Sequence, residues 1–298
     1  MTGSSAAPQD THDGYMPIAK LSALAVGVYN CSGAPAHTVE EAAPFPEVVL
    51  PQRGAYIRRD CAGAVYLDRT TIGFFEAGRR YTIAHPKPRP DVTTVISLIS
   101  AEALSDALGL SVQSPLFGCS AVRAPPALQI MHRDLLRRLP DAAPMEIEER
   151  AVELATEAVA LGHVRSNDLA RRHQRCDVAV AIAEQLQESL ASAVSLESLA
   201  SSVGLSVFHL CRAFKAQMGV AIHAYLLRLR FERATEMLIS TSAPITDNAL
   251  EMGFSSHAHF SAAFKRLVGV PPSTVRKRGA ASVTRNSKIS KAAARRLP

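Results

Sequence analysis

Two histidines, His257 and His259, stand one residue apart in the stretch GFSSHAHFSAAFK, residues Gly253–Lys265. Imidazoles ligate metals and move protons, so the pair raises both chemistries. The spacing argues against a shared ion. On a helix, residues two apart point about 200° from each other, whereas helical zinc pairs use i, i+4 spacing. The five cysteines (Cys31, Cys61, Cys119, Cys176, Cys211) are scattered and odd in number. That suits reduced thiols in a cytoplasm better than a disulfide framework. Thiolate-zinc alkyl transfer needs four clustered thiolates, and the three cysteines before residue 175 are too few and too far apart. His85 stands alone among the predicted strands, without the His/His/Glu partners of a metal-binding β-barrel. The expectation is therefore no metal, no cofactor and no enzymatic activity.

The histidine stretch reads better as half of a repeat. LESLASSVGLS (Leu196–Ser206) aligns without a gap on ITDNALEMGFS (Ile245–Ser255). After one inserted residue, Leu210, Phe214, Lys215 and Gly219 match Phe260, Phe264, Lys265 and Gly269. Each copy reads as a helix, a tight turn at Gly204 or Gly253, and a second helix capped by Ser. Two helices joined by a short Gly-containing turn make a helix-turn-helix.

At about 100° per residue, both second helices show a core stripe and an outward face in the same phase. Leu210, Ala213 and Phe214 face inward in one; Phe260, Ala263, Phe264 and Leu267 do so in the other. Phe208, Cys211, Arg212 and Lys215 face outward, as do Ala258, Ser261, Ala262 and Lys265. Neither outward face carries an acid. Little bulk, no negative charge and donors for base edges suit a helix entering a DNA major groove. His209 and His259 fall on the flanks, for packing or phosphate contact.

Charge agrees. From Ser195 onward, 15 Lys/Arg stand against 5 Asp/Glu, a net +10, while the remainder has 18 against 22, a net −4. A basic segment beside a mildly acidic one points to a polyanion partner at one end. At 47% hydrophobic and 20% charged, the 298 residues suit a packed protein of more than one domain. No apolar run reaches membrane-helix length, and the start MTGSSAAPQDTHDGYM does not read as a secretory signal.

Over about 175–278 the chain resembles the DNA-binding domain of the AraC/XylS family of bacterial transcription regulators. The residues that carry this are GLSVFHLCRAFKAQMGV, YLLRLRFERATEML, MGFSSHAHFSAAFKRLVGVPP and the closing Arg. The resemblance implies two helix-turn-helix units joined by a long helix at about 222–240, and two recognition helices in successive major-groove segments. It assigns Ser206, Phe208, His209, Cys211, Arg212 and Lys215 to the first DNA surface. Ser255, Ser256, His257, Ala258, Ser261, Ala262 and Lys265 make the second. Arg212 is the expected guanine reader, and Phe208 fits against a thymine methyl or a sugar. Arg228 and Arg230 on the linking helix are phosphate or structural candidates. Many family members have an apolar residue where Asn248 stands, and a buried Asn without a partner costs about 1–3 kcal/mol. Ala258 and Ala262 leave the second helix few long readers, so the first unit is expected to discriminate and the second to dock.

Before this lies a predicted β-region. EVVL, GAYIRR, GAVYLD, TIGFFE, YTIAH and VTTVISLI are short strands separated by Gly and Pro turns. The region resembles the cupin-like domains attached to these regulators, which bind an effector, mediate dimerisation, or both. Tyr66, Phe74, Phe75, Tyr81 and His85 are the candidate pocket residues, with ordinary packing the alternative for each. The expected class is α+β. A disordered N-terminus (1–17) precedes a cupin-like domain (18–100) and a helical connector (101–174). The DNA-binding domain (175–278) and a basic disordered tail (279–298) follow. The expected partners are double-stranded DNA, RNA polymerase, a small-molecule effector and a second copy of the chain, with no membrane. The expected function is a cytoplasmic activator of transcription; a nonspecific nucleoid-type binder driven by the basic tail is the competing reading.

Overall fold

Antiparallel strands broken by Gly, Pro and Asp turns fill the first part of the chain. The computed structural model describes residues 14–33, 40–100, 115–163, 177–192, 194–241, 244, 252–254 and 256–278. Its strands are β1 (Gly14–Lys20), β2 (Leu24–Cys31), β3 (Glu41–Ala42), β4 (Glu47–Arg53) and β5 (Ala55–Asp60). There follow β6 (Gly63–Asp68), β7 (Thr71–Phe75), β8 (Arg80–Ala84), β9 (Asp91–Leu98) and β10 (Ala121–Arg123). One sheet runs β1-β2-β9-β4-β7-β10 and the other β3-β8-β5-β6. The pairing registers are antiparallel throughout. This is the expected α+β arrangement with an N-terminal antiparallel β-domain.

One boundary moves. Residues 14–17, expected in the disordered N-terminus, belong to β1. Their backbone groups pair along β2 from Gly14↔Asn30 to Pro17↔Gly27, and a register shift follows Pro17. An edge strand tolerates that proline because one side of its backbone makes no ladder bonds.

Alternation along the strands sorts the core into two layers. Val49, Val65, Leu67, Phe75 and Val95 pack between the sheets. Val48, Leu50, Ile72, Phe74 and Ile96 point the other way, onto α1 (Pro126–Arg138) and α2 (Pro144–His163). Pro126 opens α1 at a position where its missing N–H costs nothing, and Arg137 and Arg138 close it. The helix expected to start at Ser100, the hinge at 165–175, Asn248 and the tail after 278 lie outside the described residues.

The second part is helical: α3 (Asp177–Glu188), α4 (Leu196–Ser202), α5 (Val207–Met218), α6 (Ile222–Ser240), α7 (His257–Val268) and α8 (Pro272–Arg278). The long helix α6 spans the residues the sequence assigned to it. Its first half buries Ile222, Tyr225, Leu226 and Leu229 against α3, α4 and α5. Its second half buries Phe231, Ala234 and Leu238 with Phe260, Phe264 and Val275. At about 100° per residue these two sets point in roughly opposite directions, so one helix holds two helical units on two sides.

Polar groups tie this part to the sheets. The Arg133 guanidinium of α1 donates to both Glu232 carboxylate oxygens of α6, at 3.0 and 2.9 Å, and to the Gln52 carbonyl of β4. Burial opposes the Arg133 charge, but Glu232 outweighs it and holds the pKa above its ordinary value. His132 is also buried, 2.7 Å from the Thr94 hydroxyl. Burial, and then the neighbouring Arg133 charge, press its pKa well below the usual histidine range.

Two measurements follow. Glu232→Ala strands the Arg133 charge and should lower unfolding free energy by about 3–5 kcal/mol in urea, while Arg133→Met with Glu232→Leu should recover most of it. His132 is neutral when folded and protonates near pH 6.5 when unfolded. Its contribution is full above about pH 6.5 and declines as pH falls below it, by at most about 1.4 kcal/mol per pH unit. Thermal unfolding from pH 7 to 5 should show a slope that His132→Gln reduces.

Candidate nucleic-acid interface

The two repeat helices are built alike. Ser206 caps α5 and Ser256 caps α7, each hydroxyl accepting the backbone N–H three residues on, from His209 and His259. Gly219 and Gly269 end them in the left-handed conformation, at φ 73° and 89°. Gly204 and Gly253 make the preceding turns with φ 67° and 74°. At Gly253 the turn is crowded as well: an added Cβ would meet the Arg230 guanidinium at 2.9 Å and the Leu190 carbonyl at 3.1 Å.

That guanidinium settles one open assignment. Arg230 donates to the carbonyls of Leu190, Ser192 and Gly253, at 2.7, 3.1 and 3.1 Å. It therefore joins the end of α3, the middle of α6 and the turn before α7. Arg228 lies against the Ala124 carbonyl at 3.4 Å. Both of these arginines are structural, engaged with backbone rather than held out toward phosphate.

On α5, Phe208, His209, Arg212 and Lys215 are exposed and Cys211 is half-buried, while Leu210, Phe214 and Met218 fill the core. Phe208 is 65% exposed, which removes the alternative that it is a core residue. The Arg212 guanidinium lies 5.5 Å from its ring centroid, and the two form one stacked unit on the outer face. On α7, His257, Ala258, Ala262 and Lys265 are exposed, and Ser261 is half-buried. The two histidines part as their spacing demands. His257 lies 3.4 Å from the Ser261 hydroxyl, and His259 turns edge-on to Phe254. Ser255 lies outside the described residues. Arg266, exposed in the last turn of α7, adds a cation that the match between the two copies did not single out. The outer face of each helix is cationic and free of acids, and each helix begins at an N-terminus whose dipole favours phosphate.

The candidate pocket residues divide. Phe75, Tyr81 and His85 line a cavity of about 80 Å³ between the sheets. Tyr66 and Phe74 do not, because alternation turns them to the outer faces. The Tyr66 hydroxyl donates to Glu184 of α3 at 2.6 Å, and Phe74 stacks on Phe117 at 4.9 Å. Nor is His85 alone. Its Nε2 lies 2.6 Å from Asp91 Oδ2, and Cys31 completes a buried trio. The bond to Asp91, and then that to Cys31, raise the His85 pKa to about 10. Cys31 and Asp91 are register partners on β2 and β9, whereas His85 follows β8 in the other sheet. Sixty residues of sequence separate two side chains that strand pairing makes neighbours, so no local motif announces them.

Comparison with known proteins bears on the helical part. Residues 199–278 match the family model described as a helix-turn-helix domain. The transcriptional regulator LumQ of Photobacterium leiognathi is 34% identical over 93 residues, 31% of this chain and 38% of that one. The transcriptional activator RhaS of Escherichia coli is 36% identical over 91 residues, 30% of this chain and 33% of its own. The chain thus spans little more than a third of the length of these curated relatives. A solved regulator with an AraC-type DNA-binding domain, from Chromobacterium violaceum, is 30% identical. It covers 34% of this chain and 90% of its own, with a TM-score of 0.33. Residues 199–278 thus carry a helix-turn-helix domain of the kind found in the AraC/XylS family of transcription regulators.

Proposed function

We propose that the protein is a sequence-specific, DNA-binding activator of transcription that places α5 and α7 in successive major-groove segments. The observation that carries this reading is the pair itself. Two serine-capped helices share one long helix, and each presents an acid-free outer face bearing Lys215 or Lys265. Arg212 is the base reader, because a guanidinium matches guanine O6 and N7 with two hydrogen bonds. Phe208 holds that guanidinium flat and offers an apolar edge to a thymine methyl. The short side chains of Ala258 and Ala262 let α7 lie close to the duplex while contributing little base discrimination. Activation is the role printed for the similar RhaS; on this reading RNA polymerase and a second copy of this chain are the protein partners. On this reading the protein works in the cytoplasm, on double-stranded DNA, and its β-domain takes a small effector or mediates dimerisation.

The central test compares two variants on the preferred duplex by fluorescence anisotropy. Arg212→Ala should cost about 1–3 kcal/mol of binding and relax selectivity at one base pair, whereas Ala262→Ser should change little. Equal losses from the two would overturn the assignment. Lys215→Ala and Lys265→Ala should weaken binding on every sequence alike and each reduce the salt slope by about one. Equal affinity for specific and random duplexes at every salt concentration would favour the nonspecific binder instead.

A further inference from the structure

The cavity between the sheets holds a group of side chains that DNA binding does not use. Cys31, His85 and Asp91 are all buried, and one donor atom from each lies within 4.8 Å of the other two. We propose that this trio is a binding site for a divalent transition-metal ion of the zinc class.

The donor chemistry selects the ion. A thiolate excludes magnesium and calcium, which take oxygen ligands, while an imidazole and a carboxylate beside a single sulfur suit zinc or cobalt. Charge balance points the same way. A thiolate and a carboxylate in a buried setting need two positive charges, and one divalent ion supplies both. Without an ion, a proton held by His85 against Asp91 does part of that work, which is the short contact seen between them. Tetrahedral bonds of ordinary zinc length separate nitrogen and oxygen donors by about 3.3 Å. Binding therefore replaces the 2.6 Å hydrogen bond with two metal bonds and moves the side chains apart by less than about 1 Å.

The scaffold suits such a site. Cys31 and Asp91 are fixed opposite each other by the β2–β9 register, and His85 reaches them from the facing sheet. Asp91 is further confined by the backbone at Gly54, where an added Cβ would lie 2.6 Å from Asp91 Cβ. Three protein ligands leave a fourth position, and all three residues line the cavity. At about 80 Å³ the cavity is far below the several hundred Å³ of a drug-sized ligand site. It accepts water or a small oxygen or nitrogen donor as fourth ligand.

The test uses the full chain freed of metal with a chelator, then titrated with Co²⁺ and followed by absorption. The expected result is one equivalent bound, with a near-ultraviolet sulfur-to-cobalt charge-transfer band that Zn²⁺ abolishes by competition. Cys31→Ser should remove the band. His85→Ala and Asp91→Asn should each weaken binding by at least about tenfold, while Cys61→Ser and Cys211→Ser leave it intact. X-ray absorption on the zinc-loaded wild-type chain needs no variant, and should find one sulfur at about 2.3 Å among nitrogen and oxygen neighbours. No charge-transfer band, a band that survives Cys31→Ser, or a zinc shell with no sulfur or with several would each overturn the proposal. None of these readouts involves DNA, so the outcome is independent of the regulatory reading.

Discussion

Helix α6 is the constraint on which the helical half depends. A surface helix buries one stripe, but α6 buries Tyr225 and Leu229 on one side and Phe231 and Leu238 near the other. Helices α5 and α7 each bury their apolar stripe on this shared element. The Phe214–Tyr225 contact serves the first unit and the Phe231–Phe264 contact the second, with ring centroids 5.4 and 5.1 Å apart. The relative placement of α5 and α7 is thereby set by the length and phase of one helix. Arg230 reinforces it from the middle, binding three carbonyls that belong to the flanking turns.

The same helix also joins the two halves of the chain. Tyr225 donates to Asp68 at the end of β6, and Asp68 in turn accepts from the backbone and side chain of Thr70. Arg123 of β10 stacks over Tyr225 and donates to the Met218 carbonyl in the last turn of α5. Nearby, Tyr66 sits between Glu184 and Gln187 of α3. Burial holds the Glu184 carboxyl above its ordinary pKa, so its bond to the Tyr66 hydroxyl is made in a poorly solvated setting. These contacts are polar and buried, and such groups are costly unless paired. Together with the apolar clusters, their pairing seats α3, α5 and α6 on the β-domain. The end of α5 opposite its Ser206 cap is thus held from the sheet.

Local signals made much of the helical half legible. A Ser cap, a Gly turn and an apolar stripe act within a few residues, so their physics is written in consecutive letters. The repeat then doubled each signal, and the structure has both caps, both turns and the long helix where those letters placed them. The β-half was legible as strands but less so as a site. Tyr66 and Phe74 looked like pocket residues from their type and position, yet a strand residue's face depends on register against its neighbours. Arg228 and Arg230 show the same limit in a helix, since their charge suggested phosphate while their partners are carbonyls brought in from elsewhere.

By itself the sequence determined the two serine-capped helices and the glycine turns before them, their acid-free outer faces and the divergence of His257 from His259; the helix expected before Gly253 lies outside the described residues. Each follows from helix periodicity and charge along a short stretch of chain. Only the tertiary structure decided which aromatic side chains line the cavity, that α6 is shared between two cores, and that His85 meets Cys31 and Asp91. Those outcomes depend on which strand lies beside which and on the packing of distant segments. Strand pairing sets Cys31 against Asp91 across 60 residues, and no periodicity in the letters between them encodes that meeting.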